Sequence, residues 1–285
     1  MRRLLILGLA FAVVASSVTE GRSSSPAASG RIVFSDRVWP PGAGDNWEVF
    51  VVDVAGGRPR NLTRDSRCDD GWPAWSRDGT RIAFVCGGRG VYVMSANGSS
   101  RRRLITTSET VDGLSWSSDG RQIAFVRRGW IWMVGVADRS TKRLVRTSGY
   151  VTSWSRNGSR IAFERSGRDG GIWSTRIDGG GERRLTRNSA DGHPSWSPDG
   201  SRIAFSRRGT VWIMRPDGSG QRKTAVSASD PIWAPDSRHF AFSSSAPASL
   251  GGGVWIVGLD GRNSRRVASA EQIAGFSWGP GPVAR

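Results

Sequence analysis

The stretch His193-Pro-Ser-Trp-Ser-Pro-Asp-Gly-Ser-Arg-Ile-Ala-Phe205 decides the fold, because the chain keeps returning to it. A Trp-Ser pair, a turn and an Ile-Ala-Phe run recur from Trp75 to Phe84, Trp116 to Phe125, Trp154 to Phe163, Trp196 to Phe205 and Trp233 to Phe242, with a sixth Trp at Trp278. These Trp stand 41, 38, 42, 37 and 45 residues apart. A second aromatic series follows each unit at Phe50, Tyr92, Trp132, Trp173, Trp212 and Trp255. Leu62, Leu104, Leu144, Leu185 and Val267 close the units, with Thr224 the weak member. A period near 40 built from short apolar runs and Gly/Asp turns is the mark of a β-propeller.

Each unit reads as four antiparallel strands. Turns at Asp78-Gly79, Asp119-Gly120, Asn157-Gly158 and Asp199-Gly200 separate the first strand from the second. Asp and Asn bond their own backbone there, and Gly accepts positive φ. These carboxylates are therefore read as turn formers rather than catalysts. The chain enters at Arg31 on a second strand and leaves with Trp278 on a first strand. The expectation is an all-β, six-bladed propeller over residues 31–280, closed by a composite blade that joins the two ends. Residues 281–285 form a tail.

The repeats resemble the TolB-type, WD40-like propeller family, whose unit reads Pro-x-Trp-Ser-Pro-Asp-Gly, Ile-Ala-Phe, Ile-Tyr/Trp-x-Met, Asp-Gly, Arg-Leu-Thr. The closest unit runs from His193 to Phe205 and continues through Val211-Trp-Ile-Met214 and Asp217-Gly218. The resemblance implies a propeller in an extracytoplasmic setting, without the α/β domain that precedes it in the family's namesake.

Met1-Arg2-Arg3, an apolar run from Leu4 to Ala15 and the small residues Ala15-Ser16-Ser17 read as a secretory signal over 1–17. A Ser/Pro/Ala-rich linker over 18–30 follows. Twelve apolar residues are short for a membrane span, and an uncleaved N-terminal anchor is the alternative. The expected location is periplasmic or extracellular. Outside the cytoplasm, Cys68 and Cys86 are expected to be bridged, with free thiols as the alternative.

Lys and Arg number 41 against 24 Asp and Glu, a formal charge of +17, which loss of Arg2 and Arg3 lowers to +15. Basic pairs such as Arg102-Arg103, Arg183-Arg184 and Arg265-Arg266 enter the fourth strands, where charge solvates an exposed edge and discourages strand pairing. A basic rim also suits anionic wall polymer or lipid headgroups. It is disfavoured for nucleic acid, since no aromatic-lined groove accompanies it and the chain is read as exported.

Only His193 and His239 are available, in different strand contexts and with no Gly-x-Ser-x-Gly stretch adjoining either. No catalytic constellation, metal or cofactor is expected. Binding is read from one face, where the fourth-to-first and second-to-third connections fall. It carries Trp39, Trp47, Trp72 and Trp130, the four Trp outside the repeat series, which form a contact patch or cover loop cores. It also carries Asp69, Asp70, Asp112, Asp191 and Asp230 near the first strands, together with His193. These carboxylates ring a channel mouth suited to a cation, a basic peptide or a chain N-terminus, or else cap loop amides and pair with Arg89, Arg128 and Arg208. The leading expectation is a monomeric, non-catalytic module that binds a protein or peptide in the cell envelope. A channel-based glycan- or small-molecule-processing enzyme and a structural envelope protein held to anionic polymer are the alternatives.

Overall fold

The computed structural model describes residues 28–37, 46–64, 68–244, 252–270 and 273–281. The signal segment 1–17, Trp39 and residues 282–285 lie outside them. Six sheets of four antiparallel strands account for nearly all the regular structure. Blade 1 is the composite, ordered Ile273–Gly279, Arg31–Arg37, Trp47–Asp53 and Arg60–Asn61. Blades 2, 3, 4, 5 and 6 have first strands at Asp70–Trp75, Asp112–Trp116, Ser153–Trp154, Asp191–Trp196 and Ile232–Trp233. Each first strand touches the first strands of both neighbouring blades, so the six form a closed inner ring.

Period-2 alternation explains why Ile-Ala-Phe is repeated. In a strand, Ile and Phe point to one side and Ala to the other. Each blade therefore has a bulky side and a hollow side, and the hollow receives the next blade. Ala83 of blade 2 packs with Ile123 and Phe125 of blade 3. Ala124 of blade 3 packs with Ile161 and Phe163 of blade 4, and Ala241 of blade 6 with Ile32 and Phe34 of blade 1. The core is thus six seams between blades, with Phe34, Phe84, Phe125, Phe163 and Phe205 almost wholly buried and Phe242 partly so.

Three of the repeated Trp tie these seams with a hydrogen bond as well as with area. The indole Nε1 of Trp116 donates to the carbonyl of Ala74 in the preceding blade at 3.0 Å, and Trp233 to Ser195 at 3.0 Å. Trp154 donates to Ser115 at 3.2 Å, and Trp278 reaches Ser29 at 3.1 Å. Each bond contributes about 1 kcal/mol net.

The Ser after Trp works locally. Ser76 Oγ donates to Asp78 Oδ1 at 2.6 Å and accepts the Arg81 N–H at 2.9 Å, which closes the turn between the first two strands. Ser117 with Asp119 and Ser197 with Asp199 repeat this at 2.6 Å. Blade 6 has Ala234 in place of Ser, and there His239 Nδ1 meets Asp236 Oδ2 at 2.7 Å. His239 is buried and serves the turn.

Candidate functional site at the channel mouth

Three residues before the repeated Trp, the inner strands of blades 1, 2, 3 and 5 bulge. Gly275, Trp72, Gly113 and His193 occupy this place, all with positive φ (124°, 50°, 54° and 52°). A register shift falls there in blades 2, 3 and 5. Positive φ is ordinary for Gly and costs a bulky residue about 1–2 kcal/mol. Trp72 and His193 therefore stand in strained backbone at the inner ring.

Their side chains meet neighbours across the seams. The Trp72 ring lies against Gly275, where a β-carbon would stand only 3.1 Å from Cε3. The Trp72 side chain is also hydrogen-bonded to the Asp112 carboxylate of blade 3. Burial pushes the Asp112 carboxyl above the usual carboxylate range, and the Trp72 bond opposes that rise. On the other side of the ring, His193 Nε2 faces Asp230 Oδ1 at 3.2 Å, and the His193 N–H donates to Glu164 Oε2 at 2.7 Å. The Gly113 bulge lies against the backbone carbonyl of Tyr150, a residue that is 58% exposed. The mouth thus brings the Trp72 ring, the His193 imidazole and the Asp112, Glu164 and Asp230 carboxylates to the inner strands.

Asp70 and Asp191 are not open to this mouth. Both are buried, and Asp191 binds Arg207 in two contacts, Nε to Oδ1 at 2.5 Å and Nη2 to Oδ2 at 2.8 Å. Asp69 accepts the Trp47 N–H at 3.1 Å. Cys68 and Cys86 are joined as a disulfide with a Cα–Cα distance of 5.5 Å, beside Asp70. Arg128 pairs with Glu109.

The three described Trp outside the repeat series sit on strands of blades 1, 2 and 3. Trp72 is at the mouth, Trp47 begins the third strand of blade 1, and Trp130 lies in a cleft between blades 2 and 3 beneath Arg143 and Arg146. Glu164 and Tyr150 were missed in the sequence. Tyr150 sits four residues before Trp154, the place of Asp112 before Trp116, and alignment on Trp reveals it. Gly275-Phe-Ser-Trp-Gly279 has the spacing of a nucleophile elbow, but it runs along an inner strand, where Ser277 Oγ accepts the Trp75 N–H at 3.2 Å.

Solved structures place this architecture. TolB from Acinetobacter baumannii superposes with a TM-score of 0.74 at 21% identity, over 88% of this chain and 67% of that one. The fold is that of the TolB propeller. A putative TolB from Agrobacterium tumefaciens gives 0.65 at 22% identity over 90% and 94% of the two chains. An oligogalacturonate lyase in complex with manganese gives 0.56 at 15% identity over 79% and 71%. No family model and no curated protein matches the chain.

Proposed function

We propose that the chain is an exported, non-catalytic binding module whose channel mouth receives a protein or peptide of the cell envelope. Residues 1–17 direct export and 18–30 serve as a linker ahead of the propeller. The observation that carries this reading is the gathering of Trp72, Asp112, Glu164, His193 and Asp230 at the inner strands, with Trp72 and His193 in positive-φ backbone. Strain persists where the surroundings over-determine it, often at sites of contact. Aromatic rings beside carboxylates favour a peptide segment bearing Lys, Arg or a free amino terminus.

The test is cross-linked capture from the protein's own envelope, followed by affinity measurement with the identified partner. Trp72→Ala and Asp230→Asn should each weaken binding about tenfold or more while the thermal transition is retained. Unchanged affinity in both variants sinks the reading. An enzyme working at the mouth is the second reading, drawn from the lyase likeness and the His193–Asp230 pair. It requires turnover of a glycan or peptide that Asp230→Asn abolishes.

A further inference from the structure

One arginine–tryptophan pair is built three times on the second and third strands. Arg127 lies 3.8 Å from the Trp132 ring centre in blade 3, Arg165 4.5 Å from Trp173 in blade 4, and Arg207 4.3 Å from Trp212 in blade 5. Each Arg sits two residues beyond the Phe of Ile-Ala-Phe, so the three are register equivalents. Stacking fixes a guanidinium without using its N–H fork, which remains free to bind an anion.

Two of the three forks are filled by the protein itself. Arg207 holds Asp191, and Arg165 pairs with Glu182 at 2.6 Å. Blade 3 differs. Asp191 stands opposite Arg207 in the strand register, and Gly192 opposite Ser206. In blade 3 Asp112 stands opposite Val126, which leaves Val111 at the position of Asp191. Val111 is apolar and buried. Among the described residues, no carboxylate lies within ion-pair distance of Arg127 or Arg143.

That open fork lines a cleft of about 490 Å³ between blades 2 and 3, with Thr107, Ser108, Glu109, Arg128, Trp130, Trp132 and Arg143. The volume falls in the range of small-ligand sites, roughly 300–1,000 Å³. Three guanidinium groups face one carboxylate, Glu109, and that carboxylate is committed to Arg128. Neutral hydrogen-bonding groups adjoin the charge. Thr107 Oγ1 accepts the Glu109 N–H at 3.1 Å and keeps its own proton to donate. The Trp132 indole N–H, buried beside the cleft, has no partner among the described residues.

We infer that this cleft is a binding site for an acidic saccharide, with a uronate carboxylate taking on Arg127 the place that Asp191 takes on Arg207. The ring hydroxyls beside such a carboxylate match the Thr107 and Ser108 hydroxyls, whereas an acidic side chain of a peptide brings no hydroxyls beside its carboxylate. The site is separate from the channel mouth and stands independently of the peptide-binding reading.

The experiment is calorimetric titration of the full chain at about 0.15 M ionic strength, where long-range attraction is largely screened. The probes are a glucuronate trisaccharide, an uncharged glucose trisaccharide and tri-glutamate. Only the glucuronate trisaccharide should bind, at one site per chain. Arg127→Gln should weaken it about tenfold or more, the scale of a lost charge-assisted fork. Val111→Asp should do the same by filling the fork from within. Arg127→Gln changes a part-exposed side chain, so its result decides the matter if Val111→Asp folds poorly. Equal binding of all three probes, preference for tri-glutamate, or unchanged affinity in Arg127→Gln overturns the assignment.

Discussion

Replacing Asp191 with valine, the residue blade 3 carries at the equivalent place, should cost the fold about 3 kcal/mol. The Asp191 side chain is wholly buried and meets Arg207 in two contacts of 2.5 and 2.8 Å. Removing one partner of a buried pair costs about 3–5 kcal/mol, because the other charge is left uncompensated. Arg207 retains some compensation. Its side chain is 17% exposed, it lies 4.3 Å from the Trp212 ring centre, and it donates to Gln221 Oε1 at 3.0 Å. Those contacts place the loss at the lower end of the range. A domain of this size loses about 2–4 °C in melting temperature per kcal/mol, so the transition should fall by about 6–12 °C. Circular dichroism melts and urea titrations at neutral pH read both quantities. The double variant Asp191→Val with Arg207→Leu should recover most of the loss, since a buried pair replaced by apolar groups is near neutral. Arg207→Leu alone should be worse than the double, because it strands a carboxylate inside the seam. A loss under about 1 kcal/mol in Asp191→Val, or no recovery in the double, would refute this account of the pair.

Two further outcomes follow from the same structure. Opening the Cys68–Cys86 bridge, by reductant or by Ser at both positions, should lower stability by about 3 kcal/mol, the chain-entropy value for a loop of this length; identical melts of the oxidised and reduced protein would contradict it. Burial raises the Asp112 carboxyl pKa above its ordinary value, so folding favours the protonated form. The stability this group contributes is present below the ordinary carboxylate pKa and is lost as pH rises through the raised one. Asp112→Asn should therefore gain stability over the native chain at neutral pH and lose that advantage near about pH 3; denaturant midpoints at the two pH values decide, and an equal difference at both counts against the assignment.

The turn chemistry was legible because it is local. Ser76 and Asp78 lie two residues apart and meet through a single turn, so composition and spacing suffice to place them. The Trp series was legible for a related reason, since a period near 40 counts blades without any knowledge of what each ring touches. The mouth was legible only in part. Trp72, His193, Asp112 and Asp230 were singled out, but the same reasoning admitted Asp70 and Asp191, which the structure buries. Asp191 and Asp230 look alike in sequence, each preceding a first-strand Trp. One faces an arginine across a strand register, and the other faces an imidazole across a blade seam.

The sequence by itself determined the blade count, the closure of the ring by its two ends and the alternation that gives each blade a bulky and a hollow side. Those are consequences of period, and period is written along the chain. Only the tertiary structure decided which charges are free. Whether Arg127 or Arg207 has its fork filled depends on what stands opposite it in the sheet, and a bulge shifts that partner by one residue. The excess of positive charge is therefore a property of composition, while the place where it remains open to a ligand is a property of register.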